Sequence, residues 1–193
     1  MSLKVEKHAF TEEEYQRIGR ARVLRPDVRT ELIEGEIVEM SPIGEQHAAC
    51  VKRINFLLSQ RVTGYAIVSV QDPLRLDDYS EPQPDLMLLR PRQDFYSSGH
   101  PGPDDLLLLI EVSDTSLAYD REVKLHLYAR PGIPEVWIVD LASRCIEVHS
   151  DPSPQGYRSV KIYKGSESVS SATVTTLVIS VDAILGSAYD ARF

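Results

Sequence analysis

Three runs of apolar side chains constrain this chain more than any other feature: Leu86-Met87-Leu88-Leu89, Leu106-Leu107-Leu108-Leu109-Ile110 and Val136-Trp137-Ile138-Val139. A strand with four or five consecutive apolar residues has no polar face, so each run is expected to be a central strand covered on both sides. The first two adjoin carboxylates. Asp85 opens Leu86–Leu89, and Glu111 follows Ile110 before Val112. An ionised carboxylate beside a buried aliphatic run loses on the order of several kcal/mol of solvation unless a cation or a donor compensates it.

The flanking sequence supplies helices and further strands. Thr11 followed by Glu12-Glu13-Glu14 predicts a capped helix running to about Ile18 and ending near Gly19. Residues 31 to 40 read as a β-hairpin turning at Glu34-Gly35, and Ser41-Pro42 reads as a helix cap with its first residue. Between Gly44 and Gln60, apolar residues at Ala48, Val51, Ile54, Leu57 and Leu58 give a long helix one buried face. Strands are expected at 66–70, 86–89, 106–112 and 133–140, with a Pro/Gly/Ser-rich loop over 91–105. A helix over 117–129, capped by Ser116 or Asp114 and stopped by Pro131-Gly132, joins the last two. Residues 145–149 and 157–163 alternate as an antiparallel pair, and the tail reads as a strand at 177–180 followed by a short helix. The fold class is therefore α+β, a mixed central sheet flanked by helices with added antiparallel strands.

If the strands carrying Asp85 and Glu111 are antiparallel neighbours, the start of one lies beside the end of the other and the carboxylates converge. Hard divalent ions such as Mg2+ or Mn2+ take oxygen ligands and keep several waters, so Asp85, Glu111 and the carbonyl of Val112 are a sufficient protein contribution. Lys124 lies one turn after Asp120 and one turn before Tyr128, so all three share a helical face, and its ammonium can polarise a water or steady developing phosphorane charge. His47, at the start of the long helix, is a further candidate for the same cleft, and Glu36 and Asp120 are supporting candidates. Tyr128 and Trp137 read most simply as core residues, and His8, His100, His126 and His149 show no metal spacing.

These blocks, Glu31-Leu32-Ile33-Glu34-Gly35-Glu36 to Pro42 with His47, Pro84-Asp85, Glu111-Val112-Ser113, Tyr119-Asp120-Arg121 with Lys124, and Gly132 to Asp140, resemble the Uma2 family of restriction-endonuclease-like proteins. The resemblance runs from about residue 10 to the end of the chain. It implies the PD-(D/E)XK nuclease fold and metal-dependent phosphodiester hydrolysis, with Asp85 and Glu111 as the acidic pair. Two positions after Glu111, where that pattern places a lysine, stands Ser113. The resemblance assigns the lysine to the next helix, as Lys124.

Length and composition bound the rest. With 193 residues, 42% hydrophobic and 26% charged, the chain suits one domain, divided as 1–42 (helix and hairpin), 43–140 (nuclease core) and 141–193 (added strands and tail). The start lacks the apolar centre of a secretory signal, no segment is apolar enough to span a bilayer, and a cytoplasmic location is expected. Cys50 and Cys145 lie in unlike patterns and suggest buried thiols rather than a disulfide. The formal charge of −8 means that contact with DNA needs a local basic patch, drawn from Arg20, Arg22, Arg25, Lys52, Arg53, Arg90 and Arg92. It also keeps open two rivals to a DNA endonuclease, an idle nuclease fold serving as a binding module and a hydrolase of a smaller phosphodiester. A homodimer is expected by analogy with enzymes that cut duplexes symmetrically.

Overall fold

A computed structural model describes residues 7–25 and 27–186; the first six residues, read above for a secretory signal, Pro26 and residues 187–193 lie outside the described residues. In chain order the elements are α1 (Glu12–Arg20), β1 (Thr30–Ile33), β2 (Glu36–Glu39), α2 (Glu45–Arg61), β3 (Ile67–Val70), β4 (Leu86–Leu89) and β5 (Leu106–Ser113). They continue as α3 (Leu117–Tyr119), a π-helical segment (Asp120–Lys124), α4 (Leu125–Ala129), β6 (Glu135–Asp140), β7 (Cys145–Ser153), β8 (Gly156–Lys164), β9 (Ser168–Ser170), β10 (Val178–Ser180) and α5 (Val181–Leu185).

The apolar runs form the middle of a six-stranded sheet ordered β3-β4-β5-β6-β7-β8. All neighbours are antiparallel except β5 and β6, whose parallel pairing needs the helical crossover between them. Side chains of β4 alternate between two cores. Leu86 and Leu88 join Ile54, Leu58, Trp137 and Ile184 on the face covered by α2 and α5. Met87 and Leu89 join Leu109, Leu125, Tyr128 and Ile138 under the crossover helix. Both faces are thus filled, which is why these strands carry no polar alternation. The strands expected at 145–149 and 157–163 are longer than their alternation suggests, at nine residues each, and extend the same sheet in register with β6.

Three local readings are corrected. Ser41-Pro42 does not open the long helix: Gly44 is its N-cap, and residues 41–44 instead line the mouth of a cleft. The single helix expected over 117–129 is broken by a wide turn in which the Leu125 N–H reaches back five residues to the Asp120 carbonyl. Ser116 stands at the N-cap position, but its side chain makes no cap hydrogen bond; its hydroxyl donates to Asp120 Oδ2 at 2.6 Å. The tail strand β10 has a partner, β9, that three residues of Ser-Val-Ser gave no apolar run to reveal.

The β1–β2 hairpin is pinned to the segment leading into β4. The Leu32 N–H donates to the Glu81 carbonyl at 3.3 Å and the Glu81 N–H to the Leu32 carbonyl at 2.8 Å. Glu81 is itself buried; Oε1 accepts from Gln16 Nε2 at 2.7 Å, and Oε2 has no partner. Burial first, then the Glu12 carboxylate, push its pKa up to about 7 against the pull of Gln16 and Arg75. The folded chain therefore holds a proton that the unfolded chain releases from about pH 4.5, so this group's cost grows from there to about pH 7 and is complete above it. Glu81→Gln is expected to raise stability by about 1–3 kcal/mol at pH 8 and little at pH 4. Urea unfolding at both pH values checks this, and an equal effect at the two would contradict it.

Candidate active site

Antiparallel pairing of Leu86 with Ile110 sets Asp85 and Glu111 side by side at the end of the sheet. The Asp85 N–H donates to Glu111 Oε2 at 3.3 Å, and the Val112 N–H donates to Asp85 Oδ2 at 2.9 Å. Val112 thus touches the pair through its amide. Gln71, in left-handed backbone just after β3, donates its side-chain amide to Asp85 Oδ1 at 3.2 Å. From the first turn of α2, His47 Nε2 lies 3.0 Å from Asp85 Oδ2 and acts as a donor, because a carboxylate can only accept. Its Nδ1 is buried without a partner.

Lys124 approaches from the π segment. Its Nζ donates to Glu111 Oε1 at 3.2 Å and to Glu31 Oε1 at 3.0 Å, so one buried ammonium bridges two buried carboxylates. Glu31 also accepts from the Gln83 N–H at 2.8 Å, and Glu111 Oε1 accepts from the Tyr128 hydroxyl at 2.5 Å. Asp120 is held by the hydroxyls of Ser113 and Ser116. Ser113 therefore occupies the place two after Glu111 as a holder of Asp120. Glu31, His47, Asp85, Glu111, Asp120 and Lys124 share the wall of a cleft of about 470 Å³, which Arg29, Asp114 and Tyr119 also line.

The charges are unequal. Burial pushes the Asp85 carboxyl up, yet the His47 hydrogen bond and charge, the Val112 amide and Gln71 outweigh it and hold Asp85 below its ordinary value. The same hydrogen bond raises His47 against the effect of its own burial. Glu111 goes the other way: burial, and the neighbouring Asp120, Asp85 and Glu31 carboxylates, push it up to about 8 against the pull of Lys124. Burial opposes the charge on Lys124, but Glu111, Glu31 and Asp120 override it and keep the ammonium protonated. Glu31, Asp85, Glu111 and Asp120 thus face one lysine and one histidine.

That excess fits a hard divalent cation. The donor set is oxygen-rich, Asp85 and Glu111 adjoin, and a carboxyl pushed up to about 8 by burial and by its carboxylate neighbours is relieved when positive charge enters beside it. The residues that would hold the ion are Asp85 and Glu111, with Glu31 behind the lysine.

The structure brings Asp85, Glu111, Val112, Lys124, Asp120 and His47 together. It does not bring Glu36, which is exposed and paired with Lys7 on the far side of the hairpin turn. Its place is taken by Glu31, buried at 2% exposure. The available signal was a charge before Leu32-Ile33, the same argument that singled out Asp85. Tyr128, read as core, is fully buried and also orients Glu111. Of the expected phosphate-facing groups, Arg53, Arg90 and Arg92 spend hydrogen bonds on their own chain; Arg29, not selected from sequence, lies at the cleft and donates to Gln83 Oε1 at 3.3 Å.

Comparison with known proteins follows the same lines. A family model described as "Uma2: Putative restriction endonuclease" matches residues 12–182. A solved structure, described as "a putative nuclease belonging to DUF820" from Anabaena variabilis, superimposes with a TM-score of 0.68 at 14% identity, covering 91% of this chain and 97% of that one. At that identity the likeness is one of fold. No curated protein matches the chain. Among the described residues, no helix is long and apolar enough to cross a membrane.

Proposed function

The chain belongs to the Uma2 family of restriction-endonuclease-like proteins, and from that premise we propose that it is a Mg2+- or Mn2+-dependent DNA endonuclease acting in the cytoplasm as a homodimer. The observation that carries the reading is the adjoining Asp85 and Glu111 on neighbouring strands, with a buried ammonium 3.2 Å from Glu111. When bound, the ion supplies Lewis acidity toward a phosphoryl oxygen and lowers the pKa of a water. Asp85 and Glu111 hold it. His47 and Gln71 fix the Asp85 carboxylate, and Tyr128 fixes Glu111. Lys124 presents fixed positive charge where a phosphorane gathers negative charge. Arg29 at the rim meets the phosphate backbone. The dimer is supported by the free edge of β8, on which Val160 and Ile162 are exposed.

The ionisation of Glu111 sets the pH dependence. Below about pH 8 the cation must displace its proton, so apparent affinity rises about tenfold per pH unit up to that point and then levels. Nicking of supercoiled plasmid at sub-saturating Mn2+ is expected to follow this slope from pH 6 to 8 and to stop with a chelator. Cleavage that is indifferent to chelation would overturn the proposal. The formal charge of −8 supports a second reading, hydrolysis of a smaller phosphodiester. Metal-dependent turnover of bis(p-nitrophenyl) phosphate without any cleavage of DNA would favour it.

A further inference from the structure

The crossover helix carries a second polar contact with the sheet, away from the cleft. Asp140 ends β6 and pairs directly with Cys145 at the start of β7; Glu147 follows two residues on and so lies on the same face. One ligand atom from each of these three buried residues lies within 4.8 Å of the other two. Asp140 is 1% exposed, and its Oδ1 accepts from the Ser143 N–H at 2.9 Å. Its Oδ2, pointing into the cluster, has no hydrogen-bond partner. The nearest cation there, Arg121 Nη2, is 3.8 Å away, because that guanidinium is spent on Glu147. A buried carboxylate oxygen with no hydrogen bond is costly, and the 3.8 Å ion pair with Arg121 compensates it only in part.

We propose that Asp140, Cys145 and Glu147 form a binding site for a thiophilic divalent cation of the Zn2+ class, with Arg121 as the positive charge that fills it when the metal is absent. A thiolate with two carboxylates suits zinc better than magnesium, and three protein ligands leave a fourth position open. The ligands stand on two hydrogen-bonded strands joined by a tight turn, so their spacing is set before any metal arrives. His149 Nε2 lies 3.2 Å from Glu147 Oε2 and steadies that ligand from behind. Binding exchanges the Cys145 thiol proton for the metal: one S–H bond breaks, one S–metal bond forms, and the proton leaves to solvent. Arg121, 43% exposed at its side chain, swings outward as the ion arrives.

Cobalt(II) is the probe, because a thiolate ligand gives it a near-ultraviolet charge-transfer band. The whole chain is titrated on an Asp85→Asn/Glu111→Gln background, so that the cleft contributes no signal. Cys50 is the one other cysteine in the sequence and is removed in a parallel Cys50→Ala protein. The band is expected with and without Cys50 and is lost in Cys145→Ser, with circular dichroism unchanged. Asp140→Asn weakens cobalt at least about tenfold, as loss of a ligand should. Arg121→Ala, by removing a competitor, tightens binding at least about tenfold, the opposite of what a purely structural ion pair predicts. If Arg121→Ala does not fold, Arg121→Gln gives the same comparison. No band in the parent, a band that survives Cys145→Ser, or cobalt affinity unmoved or weakened by loss of Arg121 would overturn the site.

Discussion

Glu111→Gln is expected to lower metal-dependent cleavage by at least about a thousandfold, since a metal ligand contributes several kcal/mol and each 1.4 kcal/mol is a factor of ten. The fold should survive. Glu111 is already pushed up to about 8, so near neutral pH it is largely the protonated species that glutamine imitates. The amide oxygen still accepts from Tyr128 and Lys124, and the amide nitrogen, in the place of Oε2, gives up only the 3.3 Å hydrogen bond from the Asp85 N–H. Stability at pH 8 should therefore fall by no more than about 1–3 kcal/mol, the cost of one lost hydrogen bond, while activity is lost, a pairing that an unfolded variant cannot give. Asp85→Asn should lose activity similarly. Asp85→Ala is a poorer test, because it strands the donors of His47, Val112 and Gln71 at a cost of about 1–3 kcal/mol each. Unchanged nicking by the Asp85→Asn/Glu111→Gln double variant would remove the cleft from consideration as the catalytic site.

Lys124→Met is expected to be the most destabilising single change in the cleft, by about 3–5 kcal/mol above about pH 8, where Glu111 is ionised, because it leaves Glu31 and Glu111 buried around an absent cation. The sign with pH follows. As pH falls, Glu111 takes up a proton and no longer needs the ammonium, so the loss measured by urea unfolding should be smaller at pH 5 than at pH 8. Glu31→Gln added to Lys124→Met should restore part of the loss, since the two side chains are in contact and their effects do not add. A penalty below about 1 kcal/mol would mean that the ammonium is not what balances this cluster. Cleavage within tenfold of the parent after Lys124→Met would separate the lysine from catalysis.

What a one-dimensional reading could reach was set by periodicity. Leu86–Leu89 and Leu106–Ser113 are legible because strands buried on both faces must be continuously apolar, and α2 is legible because Val51, Ile54 and Leu58 repeat along one face. Asp85 and Glu111 stood out because they interrupt or end such runs. Glu31 did not, because the hairpin lies apart from the main sheet and its buried side is decided by the contact of Leu32 with Glu81, 49 residues later in sequence. Tyr128 looked like an ordinary aromatic because its hydroxyl partner, Glu111, comes from β5, 17 residues earlier. Nothing in Asp120-Arg121-Glu122-Val123-Lys124 signals a wide turn; it arises from the crossover over the sheet.

That turn has a consequence in angular phase. Residues three apart in an α-helix lie only about 60° apart around its axis, so Arg121 and Lys124 would otherwise share one face and crowd two cations together. The wider π turn opens that angle. Arg121 is thereby delivered to Glu147 on β7 and Lys124 to Glu111 on β5, and a single short helix serves two separate electrostatic addresses. Shortening the segment by one residue would restore α-helical phase and let only one of the two cations find its carboxylates.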